Sequence, residues 1–239
     1  MPDNDAAPRA LVVAAHPDDI DYGSGATVSY LVATGWSVSY CLVTYGDAGG
    51  FDPSVPREEI PVIRRAEQTE AARILGVSDL HWLGYPDGRL QVTLELRRDL
   101  SRVIRSVRPA RVICQSPERS WDRIYGSHPD HLAAGEATLC AVYPDARNPF
   151  TFPELAAEGL EAHAVSEVWV TGGPDPDVVL DVSEHLEAKM AALRAHVSQE
   201  TDRDGRLEPM LRERMGRTAT AVGMPEGSYA EAFRRIDTR

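Results

Sequence analysis

Short runs of apolar and β-branched residues alternate along the chain with longer stretches in which apolar residues recur every three or four positions. The runs Ala10–Ala14, Ser37–Thr44, Leu80–Leu83, Arg111–Gln115, Glu167–Thr171 and Val178–Asp181 predict strands. Ala26–Ala33, Pro61–Leu75, Leu94–Val107, Leu132–Val142 and Val182–Ser198 predict the intervening helices. Strands alternating with helices imply an α/β fold, a single Rossmann-like domain whose mainly parallel sheet carries helices on both faces. Residues 1–9 read as a flexible tail and 10–239 as the domain. Beyond Ser198 come a charged stretch (Gln199–Gly205), a predicted helix near Leu207–Thr218 and a closing segment, Tyr229–Ile236, read as an appendage.

Open parallel sheets bind ligands outside the carboxyl ends of their strands, so the loops after the strands are where chemistry belongs. The first strand runs into Ala15-His16-Pro17-Asp18-Asp19 and the second into Tyr45-Gly46-Asp47-Ala48-Gly49-Gly50. The third runs into Gly84-Tyr85-Pro86-Asp87-Gly88. The fourth opens a longer loop, Ser116 to Ser127, that ends at His128-Pro129-Asp130-His131.

His16-x-x-Asp19 breaks a buried strand, and His128-x-x-His131 opens a helix, with Pro129 suited to its first turn. Taken alone, either pair is commonly a cap or a surface pair. Both follow strands of one parallel sheet, each beside a proline and an extra carboxylate, and together they point to a metal. A catalytic zinc takes three nitrogen or oxygen ligands and keeps one position for water. His16, Asp19 and one of the two later histidines meet that need, and Fe(II) uses the same two-histidine, one-carboxylate set. Zinc lowers the pKa of bound water toward neutrality. Asp18 and the other histidine are then free to move protons and to stabilise an oxyanion.

Composition narrows the partners. The 37 acidic against 25 basic residues give a formal net charge of -12, which disfavours nucleic acid and anionic membranes and suits a neutral or cationic small substrate. No apolar run approaches the roughly 20 residues of a membrane helix. The N-terminus lacks the pattern of a signal peptide, and Cys41, Cys114 and Cys140, scattered in apolar surroundings, read as buried reduced thiols, so a cytoplasmic location is expected. A homo-oligomer is compatible with this composition.

The paired motifs, AHPDD at 15–19 and HPDH at 128–131, resemble those of the PIG-L / LmbE-like family of zinc-dependent N-deacetylases. The likeness runs from about Leu11 to Ile236. It takes in the glycines of the second loop, Arg64-x-x-Glu67 ahead of Ala71-Ala72, Leu83 to Gly88, and Tyr229-Ala230-Glu231-Ala232-Phe233. The resemblance implies zinc on His16, Asp19 and His131, Asp18 as general base, and His128 stabilising the oxyanion with Asp130 orienting it. It implies an N-acyl, chiefly N-acetyl, amide on an amino sugar or a related conjugate as substrate. An amidase acting on a mycothiol-type thiol S-conjugate and a non-catalytic metal or sugar binder are the alternatives. Ile20 stands where many members carry glutamate, the next acidic residue being Asp21. Asp87, Arg64, Tyr125 and Trp121 are expected near the substrate, and His81, His163, His185 and His196 are expected to be structural or exposed.

Overall fold

The computed structural model describes residues 7–121, 124–199 and 205–239. Among the described residues seven strands form one sheet in the order β3-β2-β1-β4-β5-β7-β6. They are β1 (Arg9–Ala14), β2 (Ser37–Thr44), β3 (Asp79–Tyr85), β4 (Arg111–Gln115), β5 (Glu167–Thr171), β6 (Val178–Asp181) and β7 (Ala230–Asp237). From β3 through β5 every pairing is parallel, with Val12 opposite Tyr40 on one side and Ile113 on the other. β1 is apolar at nearly every position because both faces of the sheet are covered. Leu11 and Val13 point into a core with α3 (Leu94–Val107) and α4 (Pro129–Cys140). Ala10, Val12 and Ala14 point into the opposite core with α1 (Asp19–Ala33), α2 (Ile60–Ile74) and α6 (Leu186–Arg194).

The strand order reverses between β1 and β4, and such a reversal opens a crevice at the carboxyl ends of the two strands. The backbone N–H of Ala15 donates to Gln115 Oε1 (2.9 Å), joining the two strand ends there. α4 lies so close to β4 that a Cβ on Gly135 would sit 2.3 Å from the carbonyl oxygen of Gln115. Only glycine lets that helix bring its first turn to the crevice.

Several expected boundaries shift. α1 begins at Asp19, at the metal motif itself, and places Asp19 and Asp21 in its first turn, where the helix dipole favours negative charge. The helix expected over 182–198 is a 3-10 turn (Ser183–His185), then α6, then a second 3-10 turn (Val197–Gln199). α4 gives way to a π-helical turn at Ala141–Asp145, and a short α5 (Pro153–Ala157) was not foreseen. α7 spans Leu207–Ala221. β1 starts at Arg9, inside the segment read as a tail, and residues 1–6 lie outside the described ones. Cys41 and Cys114 are buried, and burial pushes both thiols up to about 12, whereas Cys140 is half-buried. No helix among the described residues is long and apolar enough to cross a membrane.

The closing segment is no appendage. β7 lies between β5 and β6 and runs antiparallel to both. Glu231 on β7 receives the buried Lys189 ammonium of α6 at 2.6 Å and the backbone N–H of Thr27 of α1 at 2.8 Å, which locks two helices to the strand. Phe233 is fully buried against Trp169, with ring centroids 5.4 Å apart. Phe233→Ala is therefore expected to cost about 3–5 kcal/mol of stability. Urea unfolding of the variant checks this, and a midpoint equal to that of the parent protein would show that β7 contributes little to the core.

Candidate active site

The loops after β1, β3 and β4 converge on one imidazole. His16 is buried, with Nδ1 3.2 Å from Asp19 Oδ2. Its Nε2 lies 3.0 Å from Asp87 Oδ1 and 3.2 Å from Asp130 Oδ2. Asp19 reaches onward, its Oδ1 lying 3.1 Å from His131 Nε2. The rings of His16, His128 and His131 form a triangle with centroids 5.0–5.2 Å apart. Two groupings have ligand atoms all within 4.8 Å of one another, His16 with His128 and His131, and His16 with Asp87 and Asp130.

The carboxylates are held by backbone amides. Asp130 accepts from the N–H of Gly88 (2.7 Å) and of Leu90 (3.2 Å), and Asp87 accepts from the N–H of Ala48 (3.1 Å). Burial raises the Asp130 carboxyl, but His16 and these amides outweigh it and hold it below its ordinary value. Burial pulls the His16 imidazole down, yet hydrogen bonds to the carboxylates of Asp130, Asp19 and Asp87 push it up to about 12. Asp19 sits well below the usual carboxylate range, because His131 and His16 overcome its burial.

Asp18 has φ 84°, the left-handed region that side chains other than glycine rarely enter. Such a conformation costs about 1–3 kcal/mol and must be held by its surroundings. Its backbone N–H donates to Gln68 Oε1 (2.8 Å), and Gln68 Nε2 donates to Asp21 Oδ2 (2.9 Å). That oxygen lies 2.8 Å from His196 Nε2, and Gln68, Asp21 and His196 are all fully buried. From the other side Arg64 donates to the carbonyl of Pro17 (2.7 Å) and lies 3.4 Å from Asp18 Oδ2. Burial and then the charge of Asp19 push the Asp18 carboxyl up to about 7, against Arg64 and His196.

The sequence-predicted residues thus fall into different places. Asp130, expected to orient His128, aims its carboxylate at His16 instead. It meets His128 through its backbone N–H, which donates to Nδ1 at 3.2 Å as His128 caps α4. Asp87 belongs to the His16 cluster. Arg64 is only 4% exposed and also donates to the carbonyl of Gly46. A Cβ at Gly46 or Gly49 would lie 2.3 or 2.2 Å from its Nη1, so those glycines make room for the guanidinium, which supports the loops rather than facing solvent. Trp121 is 82% exposed, and the Tyr125 side chain lies outside what the structure describes. Gln68 had no sequence assignment, and Asp21 was named only as the acidic residue following Ile20. Arg64 and Gln68 stand one helical turn apart on one face of α2, a spacing that links them once Arg64 is singled out.

Fold and site define an α/β enzyme with a histidine–carboxylate cluster of metal-ligand type at the sheet's switch point. The PIG-L family, described as GlcNAc-PI de-N-acetylase, matches residues 11–142, and the chain belongs to it. A diacetylchitobiose deacetylase of Thermococcus kodakarensis is 35% identical over 95% of this chain and 83% of its own length. A probable N-acetyl-alpha-D-glucosaminyl L-malate deacetylase 2 of Bacillus cereus is 36% identical over 80% of this chain and 83% of its own. The structure of an N,N'-diacetylchitobiose deacetylase from Pyrococcus horikoshii, complexed with an inhibitor, superposes with a TM-score of 0.89. It covers 97% of this chain and 85% of that one, at 31% identity. The chain is an N-deacetylase, a hydrolase of the amide bond.

Replacing Gln68 by Leu removes the acceptor that holds the strained Asp18 backbone. Misplacing a catalytic group by about 1 Å costs on the order of 100-fold in rate. With Asp18 in the role proposed below, Gln68→Leu is expected to lower kcat by that order, with KM changing little. A variant with the parent kcat would show that the Gln68 contact does not position a group the reaction needs.

Proposed function

We propose that the protein hydrolyses the acetamide of an N-acetylglucosamine unit carried within a small conjugate, using a divalent ion, zinc by preference, held by His16, Asp19 and His131. The observation that carries this reading is the Asp19 carboxylate, which spans His16 Nδ1 and His131 Nε2 at 3.2 and 3.1 Å. Ligand atoms about 2.1 Å from an ion at tetrahedral angles lie about 3.4 Å apart, and each histidine nitrogen stands near that distance from one Asp19 oxygen, Oδ2 for His16 and Oδ1 for His131, which supports Asp19 as a ligand beside these rings. Asp87 and Asp130 face the opposite nitrogen of His16. Carboxylates that accept the second N–H of a ligand histidine fix its tautomer and raise its basicity. That division favours Asp19 as ligand over the two outer carboxylates. Iron(II) fits the same donors.

Such an ion supplies Lewis-acid polarisation and the activation of water near neutral pH. Asp18 would accept the proton of the attacking water; Gln68 holds its backbone N–H, and Arg64 lies 3.4 Å from its carboxylate. His128 accepts at Nδ1 from the Asp130 backbone, so its neutral ring carries the proton on Nε2. That N–H is the donor for the carbonyl oxygen as negative charge builds on it. The relatives support an acetamido sugar as the common unit, since chitobiose and glucosaminyl-malate conjugates share it and differ in what the sugar carries.

Amine release from a panel of N-acetylated sugars and conjugates, with metal content measured alongside, tests the reading. A metal-loaded protein that releases no amine from any of them would overturn it. Asp18→Asn keeps the shape and removes the base, so the rate is expected to fall on the order of 10²–10⁴ with metal retained. A near-normal kcat would remove Asp18 from that role. The two later histidines are expected to fail differently. His131→Ala loses metal and activity together, whereas His128→Ala keeps its metal and loses roughly 2.7–4 kcal/mol of transition-state stabilisation, seen in kcat. Metal analysis of the pair decides, and the reverse pattern would exchange their roles.

A further inference from the structure

Beside the cluster, the β2–α2 loop, the first turn of α2 and the turn after α6 enclose a cleft of ≈ 730 Å³. That size lies within the range of small-molecule sites, roughly 300–1,000 Å³. Phe51, Val55, Ile60, Ile63 and Val197 line it. Phe51 is 67% and Val197 75% exposed, so apolar surface stands open to solvent. The cleft adjoins the residues that brace the reaction centre, although none of the His16 cluster lines it. Its wall residue Asp47 accepts the N–H of Asp87 at 2.9 Å, and its wall residue Ala48 donates to the Asp87 carboxylate, whose other oxygen lies 3.0 Å from His16 Nε2. The opposite wall is fixed as well. The N–H and hydroxyl of Ser198 donate to the Glu67 carboxylate of α2 at 2.6 and 2.7 Å.

The charge of the lining selects among occupants. Arg57 is the cation among the lining residues, and it is spent on Asp47, with contacts of 2.7 and 3.1 Å to one oxygen. Asp52 adds a further negative charge. Among the described residues a carboxylate-bearing group would meet repulsion there without a partner, whereas a neutral apolar group would replace water along the exposed side chains.

We infer that this cleft receives a neutral, apolar substituent of the sugar, an aryl or alkyl aglycone, and that Phe51, Ile63 and Val197 set the preference for it. The inference rests on the acetamido-sugar reading above. In that reading the acyl group is a constant acetyl, so the variable part of the substrate is the one attached to the sugar.

The metal-loaded protein is assayed with N-acetylglucosamine, its benzyl glycoside, its malyl glycoside and N-hexanoylglucosamine. The benzyl glycoside is expected to exceed the free sugar in kcat/KM on the order of 10- to 100-fold, as burial of one ring implies. The malyl glycoside is expected to show no gain. Val197→Asn, at an exposed position where folding is not at stake, and Ile63→Asn are expected to shrink the benzyl-to-free ratio about tenfold. A ratio near one in the parent protein, a preference for the malyl glycoside, or a gain confined to the N-hexanoyl compound would overturn the inference. Calorimetric binding of the benzyl glycoside and the free sugar to Asp18→Asn separates the two claims. Tighter benzyl binding with no hydrolysis of any sugar by the parent protein would sink the deacetylation reading and leave the cleft assignment standing. Equal binding would sink the cleft assignment alone.

Discussion

Three carboxylates crowd one buried imidazole, and most of the architecture around the site answers the cost of that arrangement. Asp19, Asp87 and Asp130 all lie within 3.2 Å of a His16 nitrogen. Carboxylates that share a site ordinarily push one of their number to hold its proton. Here the backbone N–H groups of Gly88, Leu90 and Ala48 point at Asp130 and Asp87 and take up part of the charge. Asp19 has the ring nitrogens of two histidines and the backbone N–H of His16 at 2.8 Å. Three carboxylates gathered on one imidazole still make the centre rich in negative charge, a balance that suits a divalent cation. The same cluster explains the loops: each of the strands β1, β3 and β4 ends in a segment whose side chain or amide is committed to His16 or its partners.

The sheet makes that convergence possible. Loops from β1 and β4 meet because the strand order reverses between them, and β3 contributes from the edge through the extended turn that carries Asp87 and Gly88. α4 must then come close enough to present His128, Asp130 and His131 from a single turn, and the absence of a side chain at Gly135 allows it. Asp18 bears the strain that remains. It occupies the residue between a loop committed to His16 and a helix that starts at Asp19, and its left-handed backbone is held by Gln68 on one side and Arg64 on the other.

Much of this was legible in the sequence, for definite reasons. Strands buried on both faces are continuous apolar runs, so β1, β2, β4 and β5 stand out, the shorter runs at the edge strands β3 and β6 stand out with them, and the loops after them follow. β7 did not stand out, because Ala-Glu-Ala-Phe-Arg-Arg-Ile-Asp has neither strict alternation nor a β-branched run. Its burial comes from Lys189 pairing with Glu231 across 42 residues, which no local pattern carries. The histidine motifs were legible because HxxD and HxxH keep their groups close along the chain. Asp87 was assigned to substrate because only the folded sheet places it 71 positions from His16 in sequence and 3.0 Å away in space. Arg64 was likewise expected at the substrate. Its burial under Gly46 and Gly49 is a consequence of tertiary packing that leaves only the glycines themselves as a trace in the chain.

The site divides its labour between two pairs of loops. Those after β1 and β4 carry His16, Asp18, Asp19, His128 and His131, the groups suited to hydrolysis. Those after β2 and β3 carry Asp47, Ala48 and Asp87, which brace His16 and at the same time build one wall of the neighbouring cleft. The outer part of the β2–α2 loop, from Phe51 to Pro56, touches none of the His16 contacts described, and Arg57 beyond it meets them only through Asp47. That outer part is therefore free to vary in polarity and length while the inner part, tied to Asp87, stays as it is. A fold arranged in this way can keep one bond-breaking centre and change the group it accepts beside it, because recognition and chemistry meet at Asp87 and are separate on either side of it.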